Sequence, residues 1–254
     1  MSDDSYIEKN VPLFEAIYGK GLISLGGYQA IDNMFQNIDI KDKTILDIGS
    51  GIGGMAYHLA GQYHCHVIGL EIHQWMADYA MNNVPPLLKG ALKFISYAPD
   101  GPLPVSDHSI DICCSKGVLT NVEKKLELFK ELHRILKSNG QVVFIDWLVP
   151  EAAGSKYERL RLGDMSFKET PSRYSQILEK AGFNHTQFID KSQEYLEYVN
   201  QLDVMYHSIE HKKSYANIIS DTLRHELIQA NNDLKQSIES GQQLSMLILA
   251  IKQP

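Results

Sequence analysis

The run Thr44-Ile45-Leu46-Asp47-Ile48-Gly49-Ser50-Gly51-Ile52-Gly53-Gly54 constrains this chain more than any other stretch. An apolar segment of strand character meets a glycine-rich loop, and apolar residues at three- and four-residue steps follow over 55–63, the spacing of a helix. Gly49, Gly51 and Gly54 fit G-x-G-x-x-G. Glycines at those positions let the backbone turn sharply from strand to helix and let a ligand approach it closely. Residues 66–70 read as a second strand, and Glu71 stands at its end, 17 residues past Gly54. A carboxylate there can accept hydrogen bonds from both hydroxyls of a ribose. Loop and acid together, inside a strand-helix-strand unit, predict a nucleotide-cofactor site.

The remaining chain repeats the alternation. Helices are expected over 11–19, 28–38, 73–84 and 122–136, the last ended by Asn139-Gly140 as a C-cap pair. Strands are expected over 92–96, 109–115 and 141–147, with apolar centres. Beyond residue 150 come a polar excursion over 151–170, a helix over 171–181 stopped by Gly182, and a strand over 185–189. A long helical stretch over 192–239 and a last strand over 244–251 follow. Strands alternating with helices predict an α/β fold with a mostly parallel sheet covered on both faces. The length of 254 residues suits one domain. Its expected parts are an N-terminal helical lid over 1–40, a cofactor-binding core over 41–150, a cap over 151–243 and a final strand over 244–254.

Charge and cysteine content exclude several classes. Asp plus Glu number 31 and Lys plus Arg 24, a net charge of −7, which gives no global pull on nucleic acid or an anionic membrane. No segment reaches the roughly 18 apolar residues of a membrane span, and residues 1–10 are too polar for a secretory signal. Cys65, Cys113 and Cys114 form neither a disulfide framework nor a zinc-site spacing. A reduced, cytoplasmic protein is expected, with a small-molecule partner, no nucleic acid and no membrane. His207 and His211 in His207-Ser208-Ile209-Glu210-His211 would share a helix face, but they read as exposed helix histidines and no metal is expected.

Two cofactor classes use such a loop. A dinucleotide sets its pyrophosphate on the helix N-terminus, whereas S-adenosylmethionine brings a sulfonium and an ammonium. Asp47, two residues before Gly49, would repel pyrophosphate and suit a cation. With it, Leu46-Asp47-Ile48-Gly49-Ser50-Gly51-Ile52-Gly53-Gly54 resembles the nucleotide loop of class I S-adenosylmethionine-dependent methyltransferases. Val67 to Glu71 resembles that family's ribose-binding strand, Leu103-Pro104 with Ser109-Ile110-Asp111 its entry to strand four, and 131–140 its helix and following turn. The resemblance implies a Rossmann-like sheet of seven strands with an antiparallel last strand, S-adenosylmethionine as cofactor, and methyl transfer as the activity. It implies cofactor contacts at Tyr18, Ser24, Asp47, Gly49, Ser50, Gly51, Glu71, Ile72, Ser115 and Lys116, with Tyr97 and Asp100 as the candidates near the adenine.

Residues 5–27 are similar to the N-terminal cap of the phosphoethanolamine N-methyltransferases. By that resemblance Tyr6 is the lid tyrosine, Ser24 lies near the methionine end of the cofactor, and Phe14 stands where a substrate-contacting tyrosine often sits. The exit of strand four departs from the family. Its serine-arginine-aspartate and later leucine-histidine are here Ser115-Lys116-Gly117-Val118-Leu119-Thr120-Asn121, so Thr120 or Asn121 replaces the histidine and Gly117 the aspartate. The tyrosine after the fifth strand's aspartate is Trp147, following Asp146. Tyr6 and Asn121 are the catalytic candidates, and Phe14, Thr120, Asp146 and Trp147 the substrate candidates. Ligands of open α/β sheets bind beyond the strand C-termini, which puts Tyr6, Lys116, Asn121 and Asp146 at the pocket mouth, and Trp147 could face a cationic amine. The leading expectation is N-methylation of a small amine in a lidded pocket. The alternatives are an O- or C-methyltransferase of a natural-product-like acceptor, a nicotinamide-dependent oxidoreductase, and a cofactor-binding protein without turnover.

Overall fold

The computed structural model describes residues 7–153, 166–208 and 221–253. Seven strands, β1 (Thr44–Ile48), β2 (His66–Glu71), β3 (Leu92–Ser96), β4 (Ile110–Lys116), β5 (Leu136–Leu148), β6 (Phe183–Asp190) and β7 (Leu244–Lys252), form one sheet in the order β3-β2-β1-β4-β5-β7-β6. β1 to β5 pair in parallel, and β7 runs antiparallel to both β5 and β6. The order reverses at β1, between β2 and β4. This is the switch point beyond which open α/β sheets hold ligands.

Strand alternation sorts side chains onto two faces. Ile45, Cys114, Val143 and Ile145 face a core shared with α1 (Val11–Tyr18), α2 (Gly27–Phe35) and α3 (Gly54–Tyr63). Leu46, Ile48, Cys113, Phe144 and Leu148 face α5 (Lys125–Ile135) and α6 (Pro171–Lys180). α4 (Gln74–Asn82) follows β2; α7 (Ser192–His207) and α8 (Asp221–Glu239) pack on each other, with Asn231 Nδ2 donating to Val199 O at 3.0 Å. Both faces of the sheet are apolar because both are covered, as the unbroken strand centres implied.

The N-terminal helices are fastened to the core. Asp32 Oδ1 on α2 meets His58 Nε2 at 2.6 Å and accepts from Tyr63 Oη at 2.7 Å, both on α3. Gly54 N–H donates to Gly21 O at 2.9 Å, and a Cβ on Gly54 would lie 2.2 Å from that oxygen. The segment between α1 and α2 therefore crosses the glycine loop at backbone contact distance.

One expectation needs correction. Asn139-Gly140 does not cap α5, which ends at Ile135; Leu136 is already extended and pairs with Ile110. The next pair is Ile112 with Gln141, so 137–140 bulge out opposite Asp111, with Asn139 at φ +61°. Lys137 Nζ donates to Asp111 Oδ2 at 2.8 Å across the bulge. A residue tolerant of positive φ turns a strand as readily as it ends a helix, which is why local reading confused the two. Of the helical stretch expected over 192–239 the structure describes α7 and α8; Glu210 and His211 lie outside the described residues, as does Tyr6. Among the described residues no helix is long and apolar enough to cross a membrane.

Candidate active site

The turn from β1 to α3 is built on left-handed backbone. Gly49, Gly51 and Gly53 adopt φ of +71°, +54° and +93°, which L side chains rarely take. Gly49 N–H and Ser50 N–H both donate to Leu70 O, at 2.8 and 3.1 Å, so the loop is hung on the end of β2. Glu71 completes the attachment. It is 5% exposed; its Oε2 accepts Gly51 N–H at 2.9 Å and its Oε1 accepts His73 N–H at 3.0 Å. The acid that spacing singled out thus also braces the loop.

Asp47 lies beneath this turn with a different environment. It is 1% exposed, and neither carboxylate oxygen has a hydrogen-bond partner. Ser50 Oγ is buried and unpartnered as well. Burial pushes the Asp47 carboxyl up to about 8; the negative charge of Glu71 adds to the rise and Lys116 opposes it. Buried polar groups are nearly always satisfied, and an orphaned carboxylate is costly. The unpaired oxygens beside a glycine-turned backbone fit the cationic end of a ligand such as S-adenosylmethionine.

Lys116 shares the face of Asp47. Asp47 pairs with Cys114 on the neighbouring strand, and Lys116 is two residues further along β4. Its ammonium is buried and donates to Ser24 Oγ and Leu25 O, each at 2.7 Å. Burial holds it down to about 8, against the pull of Asp47.

The other candidates divide. Ile72 is 50% exposed just past β2, an apolar surface beside Glu71. Tyr97 is partly buried near Glu71, whose charge adds to burial in raising its phenol. Asp100 is exposed and pairs with Lys124 at 3.0 Å. Ser115 is fully buried, and its hydroxyl donates to Ile48 O at 2.8 Å, tying β4 to the end of β1. Phe14, at 1% exposure, and Tyr18 lie on α1 and pack in the core. Trp147 points to the same face as Asp47 and Lys116 and meets Tyr195 of α7 edge-on at 5.2 Å. Asn121 is exposed at the turn after β4.

Asp146 and Thr120 turn away from that face. Thr120 Oγ1 donates to Asp146 Oδ1 at 2.5 Å, and Trp147 N–H donates to the same oxygen at 2.9 Å. Asp146 is buried, and burial raises its carboxyl while Lys125 lowers it. The fully buried Tyr174 of α6 lies close enough for Asp146 to raise its phenol. Lys125 Nζ donates to Phe167 O at 2.6 Å, and Phe167 N–H donates to Thr120 O at 2.8 Å. The group anchors the turn after β4 to Phe167.

Sequence reasoning missed Gly21, Ile23, Val118, Lys125 and Tyr174. Cβ atoms on Gly49 and Gly51 would meet Val118 Cγ2 at 2.4 Å and Ile23 Cδ1 at 2.8 Å, so these two side chains cover the loop. The glycine at Gly21 was a usable signal; Lys125 and Tyr174 carry no local one. A cleft of about 400 Å³ opens elsewhere, lined by Val149 and Pro150 after β5 and by Gly241 and Gln243 before β7. Among the described residues no group of three metal-ligating side chains converges.

By strand order and by the placement of its glycine loop, the chain has the class I methyltransferase fold. Residues 46–144 match the family model described as a methyltransferase domain. The phosphoethanolamine N-methyltransferase of Triticum aestivum is 27% identical over 189 residues, covering 72% of this chain and 36% of its own length. The chain thus spans about a third of that relative. The phosphoethanolamine N-methyltransferase of Plasmodium falciparum (isolate 3D7) is 25% identical over 237 residues, covering 87% of this chain and 83% of its own length. Among solved structures, Haemonchus contortus phosphoethanolamine N-methyltransferase 2, in complex with phosphomonomethylethanolamine and S-adenosylhomocysteine, superposes with a TM-score of 0.86 at 19% identity. It covers 98% of this chain and 58% of that one.

Proposed function

We propose that the chain is an S-adenosylmethionine-dependent methyltransferase that N-methylates a small amine within one lidded domain. The observation that carries the reading is Asp47, a buried carboxylate with no partner at the switch point of the sheet. A pyrophosphate placed there would meet no cation and, once Asp47 is ionised, a like charge, so a nicotinamide dinucleotide is disfavoured. In this reading Glu71 takes the ribose hydroxyls, Ile72 and Tyr97 flank the adenine, and Asp47 and Ser50 take the cationic methionine end. When bound, the cofactor supplies a methyl carbon activated by its sulfonium for in-line displacement.

The protein's own task is alignment and exclusion of water. Holding two reactants in line can contribute about 7–11 kcal/mol at best. The acceptor nitrogen must be neutral to give its lone pair to the new N–C bond, and the ammonium so formed releases a proton. The segment 21–25 and the aromatic wall of Trp147 and Tyr195 close the site from the α1–α2 face. Trp147 suits an amine that becomes cationic on methylation. Tyr6 and Asn121 are the polar groups assigned to the acceptor.

The relatives' names put phosphoethanolamine first among acceptors to try, and other small amines follow. Titration calorimetry with S-adenosylmethionine, S-adenosylhomocysteine and NAD tests the cofactor. Transfer of labelled methyl to phosphoethanolamine and to glycine-like amines tests the reaction. Binding of NAD alone would reject the reading, and cofactor binding with no transfer to any amine would leave only the cofactor site.

A further inference from the structure

We propose that Lys116 is a positioning residue whose ammonium holds residues 21–25 closed over the glycine loop, setting how well the cofactor is retained rather than how fast the methyl group moves. The inference rests on the reading of the loop as a cofactor site.

The segment between α1 and α2 is fixed to the sheet at two places. At one end, Gly21 and Gly54 meet backbone to backbone, with Gly54 N–H donating to Gly21 O at 2.9 Å. Glu15 Oε1 accepts Gly21 N–H at 2.9 Å and steadies this end. At the other, Lys116 Nζ donates to Ser24 Oγ and to Leu25 O. Between them Ile23 rests on Gly51, and with Val11, Ile52 and Met76 it forms a small apolar cluster over the loop. The first attachment is neutral backbone contact. The second is charge-assisted, and such hydrogen bonds are roughly twice as strong as neutral ones.

An ammonium buried with two neutral acceptors is an expensive arrangement unless a counter-charge faces it. Asp47 stands on the same face one strand away, and in its ionised form it favours that ammonium. The placement explains why a lysine stands at the end of β4, where an apolar residue would bury more cheaply. It ties the segment between α1 and α2 to the end of β4, beside the carboxylate under the loop. A ligand seated on Asp47 would lie beneath the segment that Lys116 holds, so release of the ligand requires those two hydrogen bonds to open.

Amide hydrogen exchange of the intact chain, with and without S-adenosylmethionine, tests this together with steady-state kinetics. In the free protein, K116M should speed exchange over 20–27 by about tenfold, the loss of roughly one charge-assisted hydrogen bond. K116R, which keeps a cation and its donors, should stay near the wild type. S24A should fall between them. In turnover, K116M should raise the KM for S-adenosylmethionine by about tenfold and change kcat by less than about threefold, the split expected when binding is lost and chemistry kept. Wild-type exchange over 20–27 in K116M would overturn the proposal, as would a fall in kcat with unchanged KM. Should K116M not fold, S24A decides, and wild-type exchange over 20–27 in S24A overturns it. If the wild type binds no S-adenosylmethionine, the cofactor reading falls by itself, and the exchange of the free proteins still reports on the tether.

Discussion

The two ends of the β1–β4 switch point are built in opposite ways. On the β1–β2 side, the chemistry is carried by backbone. Three glycines in left-handed conformation, two amides hung on Leu70 O and a glutamate held by two further amides fix the loop. On the β4–β5 side, the chemistry is carried by side chains that segments distant in sequence must bring together. Lys116 reaches to residues 24 and 25, Trp147 to α7, and Thr120 to Asp146 and through its carbonyl to Phe167. A cofactor common to many reactions is recognised by the first kind of construction, and an acceptor particular to one reaction by the second.

The sharpest way to break this contrast is at Asp47, where a single side chain is asked to matter on the backbone-built side. Asp47→Asn should weaken S-adenosylmethionine by about 10- to 100-fold by calorimetry, since hydrogen bonds to a charged group are worth about 1.5–3 kcal/mol. The pH dependence of the free protein carries the same signature. The folded carboxyl holds its proton up to about 8, whereas the unfolded chain releases it near its ordinary value. Between those values the folded state binds more protons, so stability falls as pH rises toward 8. Asp47→Asn should remove that fall, read as a flatter unfolding midpoint in urea from pH 5 to 8. An unchanged cofactor affinity would mean that the loop alone does the binding.

The same contrast governs what the sequence made legible. The glycine loop, Glu71 and the order of helices and strands were readable because each is a local pattern: turn chemistry, an acid at a strand end, a period of apolar residues. The faces of single side chains past a strand end were not. Asp146 and Trp147 are neighbours that both stood as substrate candidates, yet strand alternation sends Trp147 to the α1–α2 face and Asp146 to the α5–α6 face. Lys116 was read as a cofactor contact by resemblance; its hydrogen bonds to Ser24 and Leu25 depend on a segment some ninety residues earlier. Asp100 stood as a candidate near the adenine, and its ion pair with Lys124 was equally unreadable from its neighbours in sequence.

Glu71→Gln should come next in size. It keeps a carbonyl oxygen for one of the two amides that hold the loop and loses the charge, so cofactor affinity should fall by about tenfold while the fold survives. A fall equal to that of Asp47→Asn would mean that the ribose end and the methionine end contribute alike. Smaller again on the cofactor, but selective for the other half, is Thr120→Val. It leaves the buried Asp146 with Trp147 N–H alone on Oδ1, a cost of about 1–3 kcal/mol in unfolding free energy. The turn bearing Asn121 loses an anchor, so the acceptor KM should rise and cofactor affinity should hold. A change in cofactor affinity instead would show that the two halves are coupled through β4.

The smallest effect is expected at Asp100, and it tests where the backbone-built half ends. The carboxylate lies past β3 on the side where an adenine would rest, which made it a candidate for reading that ring. Yet it is exposed and its partner Lys124 is equally so, at 3.0 Å. An exposed pair of this kind contributes little and is screened by salt, so Asp100→Asn should change cofactor affinity by less than about twofold. Calorimetry at low and high salt separates the outcomes. A loss of tenfold or more would mean that the loop after β3 abandons Lys124 when the cofactor binds and turns Asp100 onto the adenine. The third strand's exit would then belong with the side-chain-built regions, and the cofactor half would depend on a ligand-driven rearrangement just as the acceptor half depends on distant segments.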